Sequence, residues 1–157
     1  MTLTLTHTSR KVARKALGLL LKTALEGTGG LAQKVYDHAP ADFTTSPVVC
    51  VRSGPSLRKR WGIGQTKSNT KFKLEVLIYV LAGGKASGWK PENAQDAFDD
   101  IEAAVSQVVI TNPTNAAWAS LTLADQDTEV LHLPAPDTGG FPYDVEIITV
   151  EVQAYDQ

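Results

Sequence analysis

Between residues 70 and 81 the chain alternates as a β-strand with one buried face does, placing Phe72, Leu74, Val76, Ile78 and Val80 on a single side. Lys71, Lys73 and Glu75 fill the opposite side in the first half, whereas Leu77, Tyr79 and Leu81 make the second half apolar on both sides. A strand of this kind sits inside a sheet and is covered on both faces at one end. The remaining residues must therefore supply neighbouring strands and at least one layer to cover them.

The elements for this are legible on either side. Ser9 offers an N-cap, and Val12, Ala13, Ala16, Leu17, Leu20, Ala24 and Leu25 recur at helical spacing, which predicts an amphipathic helix over residues 9–26 stopped at Gly27. Its other face carries Arg10, Lys11, Arg14, Lys15 and Lys22, which reads as a solvated surface. Short extended segments are expected at 33–36 and 48–52. A second helix opens at Pro91 and ends at Asn112-Pro113, its apolar stripe being Ala94, Ala97, Phe98, Ile101, Ala104, Val105 and Val108. Strands are predicted at 118–123, 129–133 and 144–155, the last alternating Ile148, Val150, Val152 and Ala154 with Thr149, Glu151 and Gln153. Helix, strands, helix, strands is the order of an α+β domain: one domain over residues 1–157, with a mostly antiparallel sheet packed with two main helices. A hydrophobic content of 43% in 157 residues suffices for one core. Residues 1–8 alternate Thr and Leu as a weak strand or a mobile arm, and no targeting or membrane-spanning segment is expected.

Charge is divided along the chain. All fifteen Lys and Arg residues lie between Arg10 and Lys90, where four acids make the balance +11, and the following 67 residues hold thirteen acids and no base, a balance of −13. If folding keeps the two sets apart, the molecule has opposite poles, suited to head-to-tail contact between identical subunits that close into a ring or extend into a filament. The plain alternative is that folding interleaves them. Residues 53–70 read as a long basic loop in which Arg58, Lys59, Arg60 and Lys67 surround Trp61. Such a loop grips phosphate and stacks on a base in some proteins and anchors a protein contact in others; the chain as a whole is not basic, which favours assembly.

The sequence carries little recognisable chemistry. His7, His38 and His132 stand apart in sequence and outside metal-ligand spacings; His38 beside Asp37 is the one pair with the form of an oriented base. Asp125, Asp127 and Glu129 alternate, as carboxylates on one strand face for a divalent cation would, but without the glycine and frame of a calcium loop they read as a polar turn. The single Cys50, inside Pro47-Val48-Val49-Cys50-Val51, reads as a buried strand residue in a protein of a reducing compartment. No catalytic, metal or cofactor site is expected, and an enzyme ranks last among the readings.

The segments follow a familiar order: a first amphipathic helix, Val35-Tyr36-Asp37, Ala41-Asp42-Phe43, Pro47 to Val51, the strand Phe72 to Val80, a second helix, and the closing strand Asp144 to Val150. In this the chain resembles the tail terminator proteins of long-tailed bacteriophages, the tail-completion or minor tail proteins of the lambda type. The resemblance covers most of the chain and is one of element order and turn residues. It implies an α+β fold and a hexameric ring that caps the tail tube, stops its polymerisation and presents a surface to the head-completion, or stopper, protein. The implied partners are further copies of the chain, the tail tube protein, the stopper and the tape measure protein; the implied location is the head-proximal end of the virion tail, assembled in the host cytoplasm. Within that picture the basic N-terminal portion of one subunit would meet the acidic C-terminal portion of its neighbour, and Arg58, Lys59, Arg60, Trp61 and Lys67, with Asp125, Asp127 and Glu129, would lie at a subunit or tube interface and not in the lumen. The alternatives are another head-to-tail connector or tube protein and a small nucleic-acid-binding module.

Overall fold

The strand read at residues 70–81 is the middle of the sheet. The computed structural model describes residues 9–27, 29–40, 45–60, 68–82, 91–125, 128–134 and 142–154. The elements are α1 (Arg10–Leu25), β1 (Lys34–Tyr36), β2 (Val48–Arg60), β3 (Ser68–Leu81), α2 (Pro91–Thr111), β4 (Ser120–Leu123), β5 (Val130–Leu133) and β6 (Tyr143–Gln153). Six strands form one sheet in the order β1-β2-β3-β6-β4, with β5 lying on the same side of β6 as β4. β1 and β2 run parallel and every other pairing is antiparallel, so the chain is an α+β domain with a mostly antiparallel sheet and two helices packed on it.

Both helices cover one face. The Ser9 hydroxyl accepts a hydrogen bond from the Val12 amide (3.2 Å) and caps α1, and Ala13, Leu17, Leu21 and Leu25, four residues apart, form its buried stripe. Val12 and Ala24, expected in that stripe, are exposed: their positions fall outside the narrow arc that faces the sheet. From α2 come Ala94, Phe98, Ile101, Val105, Val108 and Val109, which meet Leu74, Val76, Ile78 and Val80 of β3 and Ile148, Val150 and Val152 of β6 in one continuous core. The opposite face holds a smaller cluster of strand residues, Cys50, Leu77 and Val145, flanked by Tyr36, Tyr79 and Ile147. The apolar end of β3 is therefore buried on both sides, as its sequence requires. Burial pushes the Cys50 thiol up to about 12, as suits an inert packing residue.

Gly18 interrupts the helical stripe for a reason of space. A Cβ built there lies 2.8 Å from the Cβ of Asp37, at the end of β1. Gly18→Ala is thus expected to destabilise by roughly 1–3 kcal/mol through overpacking, exceeding the ~1 kcal/mol that alanine gains in helix propensity. Urea unfolding measures the sign directly: a stabilised variant would mean that α1 and β1 separate at no cost.

The long loop expected over residues 53–70 is corrected by the structure. β2 continues to Arg60 and β3 starts at Ser68, with Arg58 opposite Thr70, Lys59 opposite Asn69 and Arg60 opposite Ser68. Gly54 and Pro55, which read as loop residues, fall at a register shift between Ser53 and Ser56, and the ladder resumes beyond it. Trp61 and Lys67 lie outside the described residues, as do the arm at residues 1–8 and Asp127.

Candidate functional site

The strand order decides how the charges are distributed. α1 packs against β1 and β2, while α2 packs against β3 and β4. The basic elements α1, β1, β2 and β3 therefore occupy one side of the sheet, and the acids of the second half lie on α2, on β6 and in the connection between β4 and β5, two strands that themselves carry no charged Asp, Glu, Lys or Arg. The Lys or Arg ion pairs among the described residues are Lys34–Glu26, Arg52–Glu75 and Lys73–Glu151. The first two stay within the basic half of the sequence; Lys73–Glu151 alone joins the halves, at 3.9 Å with both side chains about half exposed. Among the described residues that one pair is the ion pair joining the two charge sets, and α1 and α2 also touch on the covered face.

On the basic side, two arginines tie α1 to the irregular part of β2. Arg10 donates from Nη1 to the Gly54 carbonyl (2.6 Å), and Arg14 donates from Nη1 to the Ser53 hydroxyl (3.4 Å). The helix face read as merely solvated therefore also holds the hairpin in place. Glu26, just past the helix, accepts from the Val35 amide (2.9 Å) and pairs with Lys34 (3.3 Å). Burial raises its carboxyl pKa, but the Val35 amide, Lys34 and Lys22 outweigh that and hold it below the usual carboxylate range. Lys15, Lys22 and Lys34 line a depression of about 380 Å³ with Gly18, Leu19, Val35, Tyr36 and Asp37.

On the acidic side, β5 carries Val130, Leu131 and Leu133 with 43, 43 and 41% exposure. Glu146, opposite Val130 in β6, is buried. Burial pushes its carboxyl above the usual range, a hydrogen bond from Thr128 opposes this, and Glu102 and Asp99 of α2 push it further up. Because the folded-state value is raised, stability from this group is fully present below the unfolded value of 4.5 and is lost as pH rises through the folded value. Glu146→Gln should remove that dependence and melt higher than the parent at neutral pH. A lower melting temperature across the whole range would show that the ionised carboxylate is needed.

Of the residues singled out from sequence, Arg58, Lys59 and Arg60 lie on the far arm of β2. Asp125 is exposed in the β4–β5 connection and Glu129 is exposed immediately before β5, so they flank a connection and do not share a strand face for a cation. In the strand order β2, which holds Arg58, Lys59 and Arg60, is separated by β3 and β6 from β4 and β5, whose connection holds Asp125 and Glu129. His38 Nδ1 lies 2.8 Å from Asp37 Oδ1, and His132 Nδ1 lies 2.7 Å from Asp144 Oδ1, at opposite ends of the strand order. Among the described residues no group of three His, Cys, Asp or Glu side chains is placed to hold a metal ion, and no helix is long and apolar enough to cross a membrane. The strand expected at 129–133 is β5, but its exposed apolar side chains and the burial of Glu146 were not legible in the sequence. Val130-Leu131-His132-Leu133 lacks the alternation that would have shown two different faces. No family model matches the chain, and no curated protein is significantly similar to it.

Proposed function

We propose that the chain is a structural assembly protein that forms a ring of identical subunits on the end of a phage tail tube. The ring stops tube polymerisation and offers the head-completion protein an attachment surface, with the tape measure protein as a further contact, at the head-proximal end of the virion tail. The observation that carries this reading is the separation of basic and acidic elements onto opposite sides of one sheet, with a single exposed ion pair between the halves among the described residues. Opposite poles at opposite sides favour heterologous contact, and a heterologous contact of the right rotation closes a ring. The resemblance in element order supplies the tail setting. Purified protein added to polymerising tube subunits should shorten the tubes and leave a ring at one end, seen by electron microscopy; unchanged tube lengths and bare ends would sink the reading.

A second reading, a small nucleic-acid-binding module, draws on the three lysines around the Tyr36 depression. Affinity for DNA that falls steeply with salt would favour it.

A further inference from the structure

Among the described residues the far arm of β2 and the outer side of β5 each lack a strand partner, and they lie on opposite sides of the sheet. β5 pairs with β6 alone, and none of Val130, Leu131, His132 and Leu133 is a Lys, Pro or acid of the kind that protects an edge. β2 pairs with β1 only at Val48, Val49 and Cys50; beyond them the Gly54 carbonyl accepts from Arg10 and the Ser53 hydroxyl from Arg14. From Ser56 to Arg60 no described element flanks β2 on its side away from β3, and Leu57 is 65% exposed.

We propose that residues 56–60 of β2 in one copy of the chain pair edge to edge with β5 of the next copy, extending the sheet from subunit to subunit. This inference rests on the ring reading above and adds to it the two surfaces and their mode of contact. Charge selects the pairing. The β2 edge bears Arg58, Lys59 and Arg60, whereas β5 follows Asp125 and Glu129. Joining β5 to β5 would set acids against acids, and joining β2 to β2 would set bases against bases; only the unlike pair is complementary. Because the two edges are different surfaces, the contact repeats head to tail and passes round a ring without leaving either edge open. Four residues of β5 span only about 13 Å, so each contact is small and draws on the exposed leucines and the charges as well as on backbone pairing.

The register provides a direct test. Leu57 shares a sheet face with Lys71, and Leu131 shares that same face with Val145 through the β3–β6 pairs. Leu57→Cys and Leu131→Cys chains, purified separately, mixed without tubes and mildly oxidised, should form a disulfide joining one variant to the other; Cys50, fully buried, stays out of the exchange. Adding Arg58→Glu, Lys59→Glu and Arg60→Glu to the first variant should abolish the cross-link. Asp125→Lys and Glu129→Lys in the second should restore it. Cross-linking of Leu131→Cys chains only to themselves, no cross-linking at all, or a cross-link indifferent to the charge changes would overturn the proposal. Cross-linked oligomers that fail to cap tubes would leave this interface standing and remove the tail reading; tube capping without the cross-link would do the reverse.

Discussion

Trp118→Ala is expected to cost about 4 kcal/mol, the range found when a large aromatic is removed from a core that collapses incompletely. Trp118 is fully buried and heads the largest wholly buried side chains of the domain. It stands in the turn between α2 and β4, where the Asn115 side chain accepts from the amides of Ala117 (2.7 Å) and Trp118 (3.2 Å) and so fixes the approach of the indole. Its Nε1 donates to the Asn112 carbonyl (3.0 Å), one of the carbonyls left without a partner at the end of a helix. Truncation therefore opens a cavity in the core and leaves that carbonyl unpaired. Against a total stability of roughly 5–15 kcal/mol, the variant is left close to unfolding. Trp118→Phe keeps most of the apolar volume and loses the donor, at about 1–2 kcal/mol. Urea unfolding of both variants checks the order; equal losses would mean that the indole volume contributes nothing beyond its hydrogen bond.

Reversing Arg58, Lys59 and Arg60 to Glu should abolish self-association while leaving the monomer folded. The triple change moves the formal net charge from −2 to −8 and turns a basic strand edge acidic. Paired with the Glu129 region of a neighbour, that edge would present like charges where unlike ones are required. The fold should survive because the three residues lie beyond the last β3–β6 pair, Lys71 with Gln153, at the far end of the β2–β3 ladder. Circular dichroism and melting temperature close to those of the parent, with loss of every species larger than a monomer, is the expected result. Association of the variant at parental strength would take these residues out of the mechanism.

The fold was legible where local chemistry and burial agree. Ser9 caps α1, Pro91 opens α2, and the period-two runs of β3 and β6 mark the paired centre of the sheet. Legibility failed at β2 beyond Arg52, because Gly54, Pro55 and a cluster of bases have low strand propensity and no alternating apolar face. Cross-strand pairing with β3 overrides that preference, and the register shift accommodates Gly54 and Pro55. The helical stripe drew in Val12 and Ala24 because apolar spacing alone does not give the width of the arc that meets the sheet. Charge separation was visible in sequence, but whether folding would preserve it depended on strand order. By placing β6 beside β3, with β4 and β5 outside it, the topology puts the acids of β6 and of the β4–β5 connection on the side away from β1 and β2. The open edge of β5 follows from the same order and from nothing local.

Sedimentation of the purified chain at low and at high salt, alone and mixed with assembled tail tubes, tests the central claim most directly. Opposite poles joining copies head to tail predict a ring-sized species at low salt, or one formed on tube ends, that dissociates as salt screens the contact. A monomer at every salt concentration that ignores tubes would contradict the account.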